Sequence, residues 1–421
     1  MTTISRRSFM ATSGVGLAVA ATGLGTQLAY AQSSANGSSG DTLVVVFLRG
    51  GADGLSMAPP YGYSSYRRLR PNIAVPPPGQ NGGALPLNSS NGNAAFPTGI
   101  DGVVGLHPAL KPIHDTLWAQ GKLAVIPAVG MPASESSTRS HFSAQDYIEA
   151  GSASPSVGGS WLSRLVNSKA LTGPVPALSM GRRSNLIKGA VGAVTVPRLQ
   201  GFGVGGFSRS DMAKAALQTL YRGDDSVAVE GREFLDIVDR FNTISDETRP
   251  GYPNHKLGRS FSELSALLKA GLGVQVAAID MGGWDHHSNL GRSTDSGGRF
   301  NARAGELAGA LRAFGDDTNG LDGITVVVLT EFGRTINENG NLGTDHGRAA
   351  TYLAMGAGIR GGVYGDDFPD EIKDDPNHGD LSVLTDFRKP LGEIAQRRAG
   401  ISNMNLLFPT YQGGVSMGLT R

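Results

Sequence analysis

Two apolar runs rich in β-branched residues, 274–279 (VQVAAI) and 324–330 (ITVVVLT), constrain the fold more tightly than any other feature of the chain. Both are short, uncharged and flanked by glycine, as strands buried on both faces of a sheet are. Between them, Phe300, Leu307, Leu311 and Phe314 fall on one helical stripe of residues 299–314. The segment therefore reads as a βαβ unit with a right-handed crossover. Open α/β sheets of this kind bind ligands at the carboxyl edge of the strands. Three acid-and-histidine motifs collect there: residues 280–287 (DMGGWDHH), 330–335 (TEFGRT) and 343–347 (GTDHG). Carboxylates and imidazoles so placed suit a metal-dependent hydrolase.

Further elements extend the pattern. Residues 43–48 (LVVVFL) form a first strand running into a glycine-rich turn with Arg49 and Asp53, and residues 123–129 form a second. A helix over 108–120 carries Leu110, Ile113 and Leu117 on one face, and a strand is expected at 351–355 and a helix at 386–398. The helix near 141–149 has Ser140 as its N-cap, which puts a hydroxyl at a positive helix end. Residues 71–105, rich in Pro, Gly and Asn, read as a long surface excursion, and 160–270 as a mostly helical scaffold or lid.

Ser5-Arg6-Arg7-Ser8-Phe9-Met10 reads as a twin-arginine export signal, and Ala29-Tyr30-Ala31 ends it at a small-x-small cleavage site. Residues 1–31 are then removed, 32–40 form a flexible linker, and 41–421 form a single elaborated domain. Gly and Thr interrupt the apolar stretch, so no membrane span is expected in the mature chain. Location follows as periplasmic or secreted, with the twin-arginine translocase as the partner during export. Loss of Arg6 and Arg7 from 37 basic residues against 36 acidic ones leaves a formal charge of −1, which argues against a nucleic-acid partner. With no cysteine, any metal must be held by His, Asp, Glu, hydroxyl or water.

Several segments resemble one exported bacterial family, domain of unknown function 1501. They are the twin-arginine start, FLRGGADGLS (47–56), GLHPAL (105–110), RSHFSAQDYIEAG (139–151), GGWDHH, TEFGRT, GTDHG and TDFR (385–388). That family is grouped with the alkaline phosphatase superfamily of phosphatases, sulfatases and phosphodiesterases. The resemblance implies an alkaline phosphatase-like, doubly wound, mostly parallel sheet flanked by helices, with long loop insertions. It also implies divalent metal ions, up to two, with zinc, manganese and calcium not distinguishable from the sequence.

Carried over position by position, the resemblance gives Asp53 as the early aspartate and Ser140 as the nucleophile, with metal-bound water as the alternative. The later ligands align in two ways. In one, Asp285 with His287, the pair Asp345-His346, and His378 take the metal positions; in the other, Asp280, Trp284, Glu331-Phe332 and His346 do. Candidate metal ligands are therefore Asp53, Asp280, Asp285, His287, Glu331, Asp345 and His346. Arg49 and Arg139, with Arg334, are candidates for holding an anionic ester. His107, His114 and His255 read as structural. Two functions stay open: an exported metal-dependent hydrolase of phosphate or sulfate esters, or a catalytically degenerate relative acting as an envelope binding or assembly protein.

Overall fold

Strand β1 (Thr42–Leu48) alternates its side chains between two separate cores, and this fixes the layering of the molecule. The computed structural model describes residues 41–87, 102–154, 157–169, 173–199, 202, 210–244, 249–365 and 379–421. Residues 1–31 and 32–40, expected as an export signal and a linker, and His378 lie outside them. The remaining strands are β2 (Leu85–Pro86), β3 (Gly105–Leu106), β4 (Leu123–Gly130), β5 (Ala177–Met180), β6 (Ala193–Val196), β7 (Val276–Met281), β8 (Ile324–Thr330), β9 (Ala350–Gly356), β10 (Gly362–Val363) and β11 (Thr385–Asp386). The helices that matter below are α1 (Gly54–Met57), α2 (His141–Ala150), α3 (Trp161–Asn167), α4 (Lys256–Lys269), α5 (Arg299–Asp317) and α6 (Arg388–Arg398).

Val44, Val46 and Leu48 join Phe261 and Leu264 of α4 and Leu307, Leu311 and Phe314 of α5 in one core. Leu43, Val45 and Phe47 join Trp161 and Leu165 of α3 and Ile394 of α6 in the other. Helices thus cover both faces, and the strands β4, β8 and β9 are buried along their whole length. That double burial is why their sequences are continuously apolar instead of alternating.

The sheet runs β10-β4-β9-β8-β1-β7-β5-β6, with β11 also beside β4, while β2 and β3 pair as a separate antiparallel ribbon. Every pairing in the main sheet is parallel except those of β9, which runs against both β4 and β8. The expected mostly parallel sheet flanked by helices is therefore observed. Among the described residues no helix is long and apolar enough to cross a membrane.

β7, the helix Arg299–Asp317 and β8 form the expected βαβ unit, with β1 inserted between the two parallel strands and paired with both. Two expectations change. Segment 160–270 holds the long helices Ser210–Leu220 and Ser226–Asn242, but it also supplies β5 and β6 to the main sheet. The helix expected over 108–120 breaks into a 3₁₀ turn (Pro108–Leu110), an α turn (Lys111–Ile113) and a π turn (His114–Trp118). Pro112 lacks the amide hydrogen that a continuous ladder needs there, whereas Pro108, at the first helical position, removes no ladder bond. Leu110, Ile113 and Leu117 are nevertheless buried, so the apolar face was read correctly.

Candidate metal centre

All the parallel strands point their carboxyl ends to one edge, and β9, running the other way, starts there. Arg49 follows β1, Asp285 and His287 follow β7, Glu331 follows β8, and Asp345-His346 lead into β9. A motif that precedes its strand reaches the same edge as motifs that follow theirs only because β9 is antiparallel. α2, eleven residues beyond β4, adds His141 at its first position.

These segments are tied together by buried polar contacts. Gly50 takes φ 121°, and a Cβ there would lie 2.5 Å from the Asp285 amide nitrogen, so the β1 turn presses directly on the Asp285 loop. The Gly50 amide donates to Glu331 Oε1 at 2.9 Å. Arg334, only 2% exposed, donates to the carbonyls of Gly50 (2.5 Å), Gly51 (2.7 Å) and Thr344 (3.0 Å) and to Asp285 Oδ1 (2.6 Å). One guanidinium thereby fixes three loops relative to one another.

Three imidazoles meet at Asp285. Each has its Nδ1 against an oxygen that can only accept: Glu331 Oε1 for His141 (2.8 Å), Asp345 Oδ1 for His287 (2.9 Å) and the Arg139 carbonyl for His346 (2.8 Å). Nδ1 therefore carries the hydrogen, and in the neutral ring the Nε2 lone pair points away from that oxygen. Nε2 of His287 lies 2.9 Å from Nε2 of His346 and 3.1 Å from Asp285 Oδ1. The Nε2 atoms of His141 and His346 are each 3.5 Å from the same oxygen. Ligand atoms of His141, Asp285 and His346 all fall within 4.8 Å of one another, a grouping able to hold a metal ion. His141 Nε2 is buried without a hydrogen-bond partner among the described residues.

The charges are arranged to keep the carboxylates ionised. Burial pushes the Asp285 carboxyl up, but Arg334, with His287 and His141, outweighs it and brings the pKa down to about 2. Burial also raises Glu331, and hydrogen bonds from His141 and Gln145 outweigh that too, leaving it below the usual range. The Glu331 hydrogen bond raises His141, whereas burial lowers His346. Asp345 is lowered by its hydrogen bond to His287.

Asp285, His287, Asp345 and His346 are thus brought together, with Asp345 and Glu331 placed behind the imidazoles as their hydrogen-bond acceptors. Asp53 and Asp280 are elsewhere. Asp53, buried, caps α1 by accepting from the Ser56 amide at 2.7 Å and pairs with Arg70 at 2.9 Å. Asp280 accepts from Arg49 at 2.9 Å and from Ser184 at 3.1 Å. Arg49 also pairs with Glu149 at 2.5 Å, and Arg139 donates to the His346 carbonyl and to Asp380. Ser140 is exposed and its side chain makes no capping bond. Trp284 is fully buried against Phe300, while Phe332 packs 4.8 Å from the His141 ring and 5.0 Å from that of His346.

His141 and Gln145 were not among the expected site residues. Gln145 donates to Glu331 at 2.9 Å and accepts from Arg49 at 3.2 Å. The signal was present in RSHFSAQDYIEAG: His141, Gln145 and Glu149 recur every four residues, which is one stripe of a helix.

Residues 208–384 match the model of a family described as Protein of unknown function (DUF1501). The match contains Asp285, His287, Glu331, Asp345 and His346. No curated protein matches the chain. Solved structures give weak likenesses. The C-terminal periplasmic domain of EcEptC from Escherichia coli, in a complex with Zn, shares 10% identity at TM-score 0.34, covering 78% of this chain and 77% of that one. A second structure of the EcEptC domain shares 9% at 0.38, covering 91% and 92%. The lipoteichoic acid synthase LtaP from Listeria monocytogenes shares 11% at 0.28, covering 79% and 71%.

Proposed function

We propose that this chain is an exported metal-dependent hydrolase of phosphate or sulfate esters that holds a single divalent ion between His141, Asp285, His287 and His346. The observation that carries the reading is the 2.9 Å approach of two Nε2 atoms whose Nδ1 atoms are both hydrogen-bonded to acceptors. Two lone pairs at that distance repel unless a cation or a proton lies between them. Imidazole and carboxylate together suit zinc or manganese better than calcium, which prefers oxygen ligands throughout. When bound, such an ion polarises an ester oxygen and stabilises developing negative charge.

The protein's own part is positioning. Glu331, Asp345 and the Arg139 carbonyl hold the tautomer of each imidazole, a role that second-layer acceptors play at metal sites generally. Arg334 keeps Asp285 ionised and in place. Ser140, at the positive end of the ten-residue helix α2 and next to His141, has its hydroxyl uncommitted to capping and is the candidate nucleophile. Export rests on Arg6-Arg7 and the cleavage motif.

A second reading, a binding or assembly protein of the envelope without turnover, draws support from Asp53 and Asp280. Both are committed to arginines, which leaves carboxylates for one ion and not for a two-metal clamp. Metal analysis of the purified chain, with hydrolysis of 4-nitrophenyl phosphate and sulfate, separates the readings. The expected result is one ion per chain, lost in His346→Ala together with activity. A bound ion without turnover favours the binding protein, and a folded chain that takes up no ion and shows no activity sinks the hydrolase reading.

A further inference from the structure

Asp345 was expected as a metal ligand, yet its Oδ1 stands behind the His287 ring and accepts from Nδ1 at 2.9 Å. Its side chain is 58% exposed, so other staggered rotamers are open to it. A second donor fixes the carboxylate. Asn339, in the loop between β8 and β9, donates from Nδ2 to the same Oδ1 at 3.1 Å and to the His287 carbonyl at 3.0 Å. One amide group therefore holds both the backbone of His287 and the acceptor that its ring depends on.

The other end of that amide shows which way it must face. Oδ1 of Asn339 accepts from the backbone amides of Asn341 at 3.0 Å and Gly343 at 3.1 Å, groups that can only donate. Nδ2 is left for the carboxylate and the carbonyl, which can only accept here, so flipping the amide would break all four contacts. The turn that carries it is tight. The Asn339 amide donates to the Gly343 carbonyl at 2.9 Å, Leu342 takes φ 56°, and a Cβ on Gly343 would lie 2.4 Å from the His287 carbonyl carbon. The loop thus lies directly against His287.

We propose that Asn339 is a positioning residue of the metal centre: it commits Asp345 to His287 and so keeps Nε2 of that ring turned to Asp285 and His346. The inference rests on the metal reading and deepens it, by naming the group that makes Asp345 an acceptor for an imidazole and not a ligand. Acceptors of this kind orient ligating histidines, and their loss weakens metal affinity.

Asn339→Asp separates this role from a merely structural one. A carboxylate oxygen still receives the amides of Asn341 and Gly343, so the turn is kept, but the second oxygen replaces the donor and meets Asp345 as a like charge. Zinc affinity, measured by competition with a chromophoric chelator, is expected to fall about 10- to 100-fold. Asn339→Ser keeps a turn-forming oxygen, adds no charge and is expected to lose affinity too. In an Asp345→Ala background, with no carboxylate left to hold, Asn339→Asp should cost less than about twofold more. A metal-free readout accompanies these: in chelator, the His287 Nδ1 proton is expected downfield and slow to exchange by NMR in wild type, and lost in Asn339→Asp. Unchanged zinc affinity in both Asn339 variants, an equal loss with and without Asp345, or persistence of that proton in Asn339→Asp overturns the proposal. Loss of the proton supports the placement of His287 even in a chain that takes up no zinc, an outcome that sinks the metal reading alone.

Discussion

A histidine shut away from water resists protonation, and His107 illustrates what that costs. It is 1% exposed, its Nδ1 accepts from the Ala109 amide, and its ring packs 4.8 Å from Phe300. Burial lowers its pKa to about 3. The unfolded chain, with a pKa of ~6.5, binds the proton first, so between about pH 6.5 and 3 folding loses stability as pH falls. At ~1.4 kcal/mol per pKa unit the loss amounts to a few kcal/mol. Urea titrations across that window should show wild type declining more steeply than His107→Gln; parallel curves would refute the assignment. His107 was readable as structural because it sits alone among apolar residues. His141 is harder to read: the stripe it shares with Gln145 and Glu149 marks a polar helix face, but only the partner Glu331, 2.8 Å away and 190 residues later, shows that this face looks into the centre.

At the scale of elements, the turn after β1 is the point where two loops meet with no room to spare. Gly50→Ala would combine a backbone conformation that side chains rarely adopt with a Cβ 2.5 Å from Asp285 N and 2.9 Å from Trp284 C, both backbone atoms that cannot swing aside. The Asp285 loop would have to retreat. The expected outcome is a loss of about 1–3 kcal/mol in unfolding free energy and weakened metal uptake in the fraction that folds. Unchanged stability with full metal binding would show that the loop yields freely. β1, β4, β7 and β8 were legible because strands buried on both faces must be apolar throughout. β5 and β6 were not, since four-residue strands such as Ala177–Met180 are too short to show a period. The direction of β9 was illegible as well, because an apolar strand reads the same whichever way it runs.

For the molecule as a whole, a single bound ion would join segments from residue 141 to residue 346. Anything that binds only the folded chain stabilises it by mass action, about 2.7 kcal/mol at a hundredfold excess over Kd. Chelation should therefore lower the thermal midpoint by a few degrees, reversibly on adding back zinc or manganese, while His346→Ala should be insensitive to both. A wild-type midpoint indifferent to chelator would argue against an ion in the resting protein. Sequence motifs indicated that the ligands share a sheet edge, yet the strand order that makes them neighbours is set by long-range pairing that no local pattern encodes.

That strand order also dictates a schedule for synthesis. β4 touches the body of the sheet only through β9, and its other partners, β10 and β11, come later still. β1 can pair with β7 and β8 once about residue 330 has emerged from the ribosome, but the strand leading to His141, which ends at Gly130, must wait unpaired until β9 begins at Ala350, more than two hundred residues later. A nascent chain therefore cannot bring His141 beside Asp285 and His346 until β9 has emerged. The ion proposed above would have to enter after β9 has paired with β4.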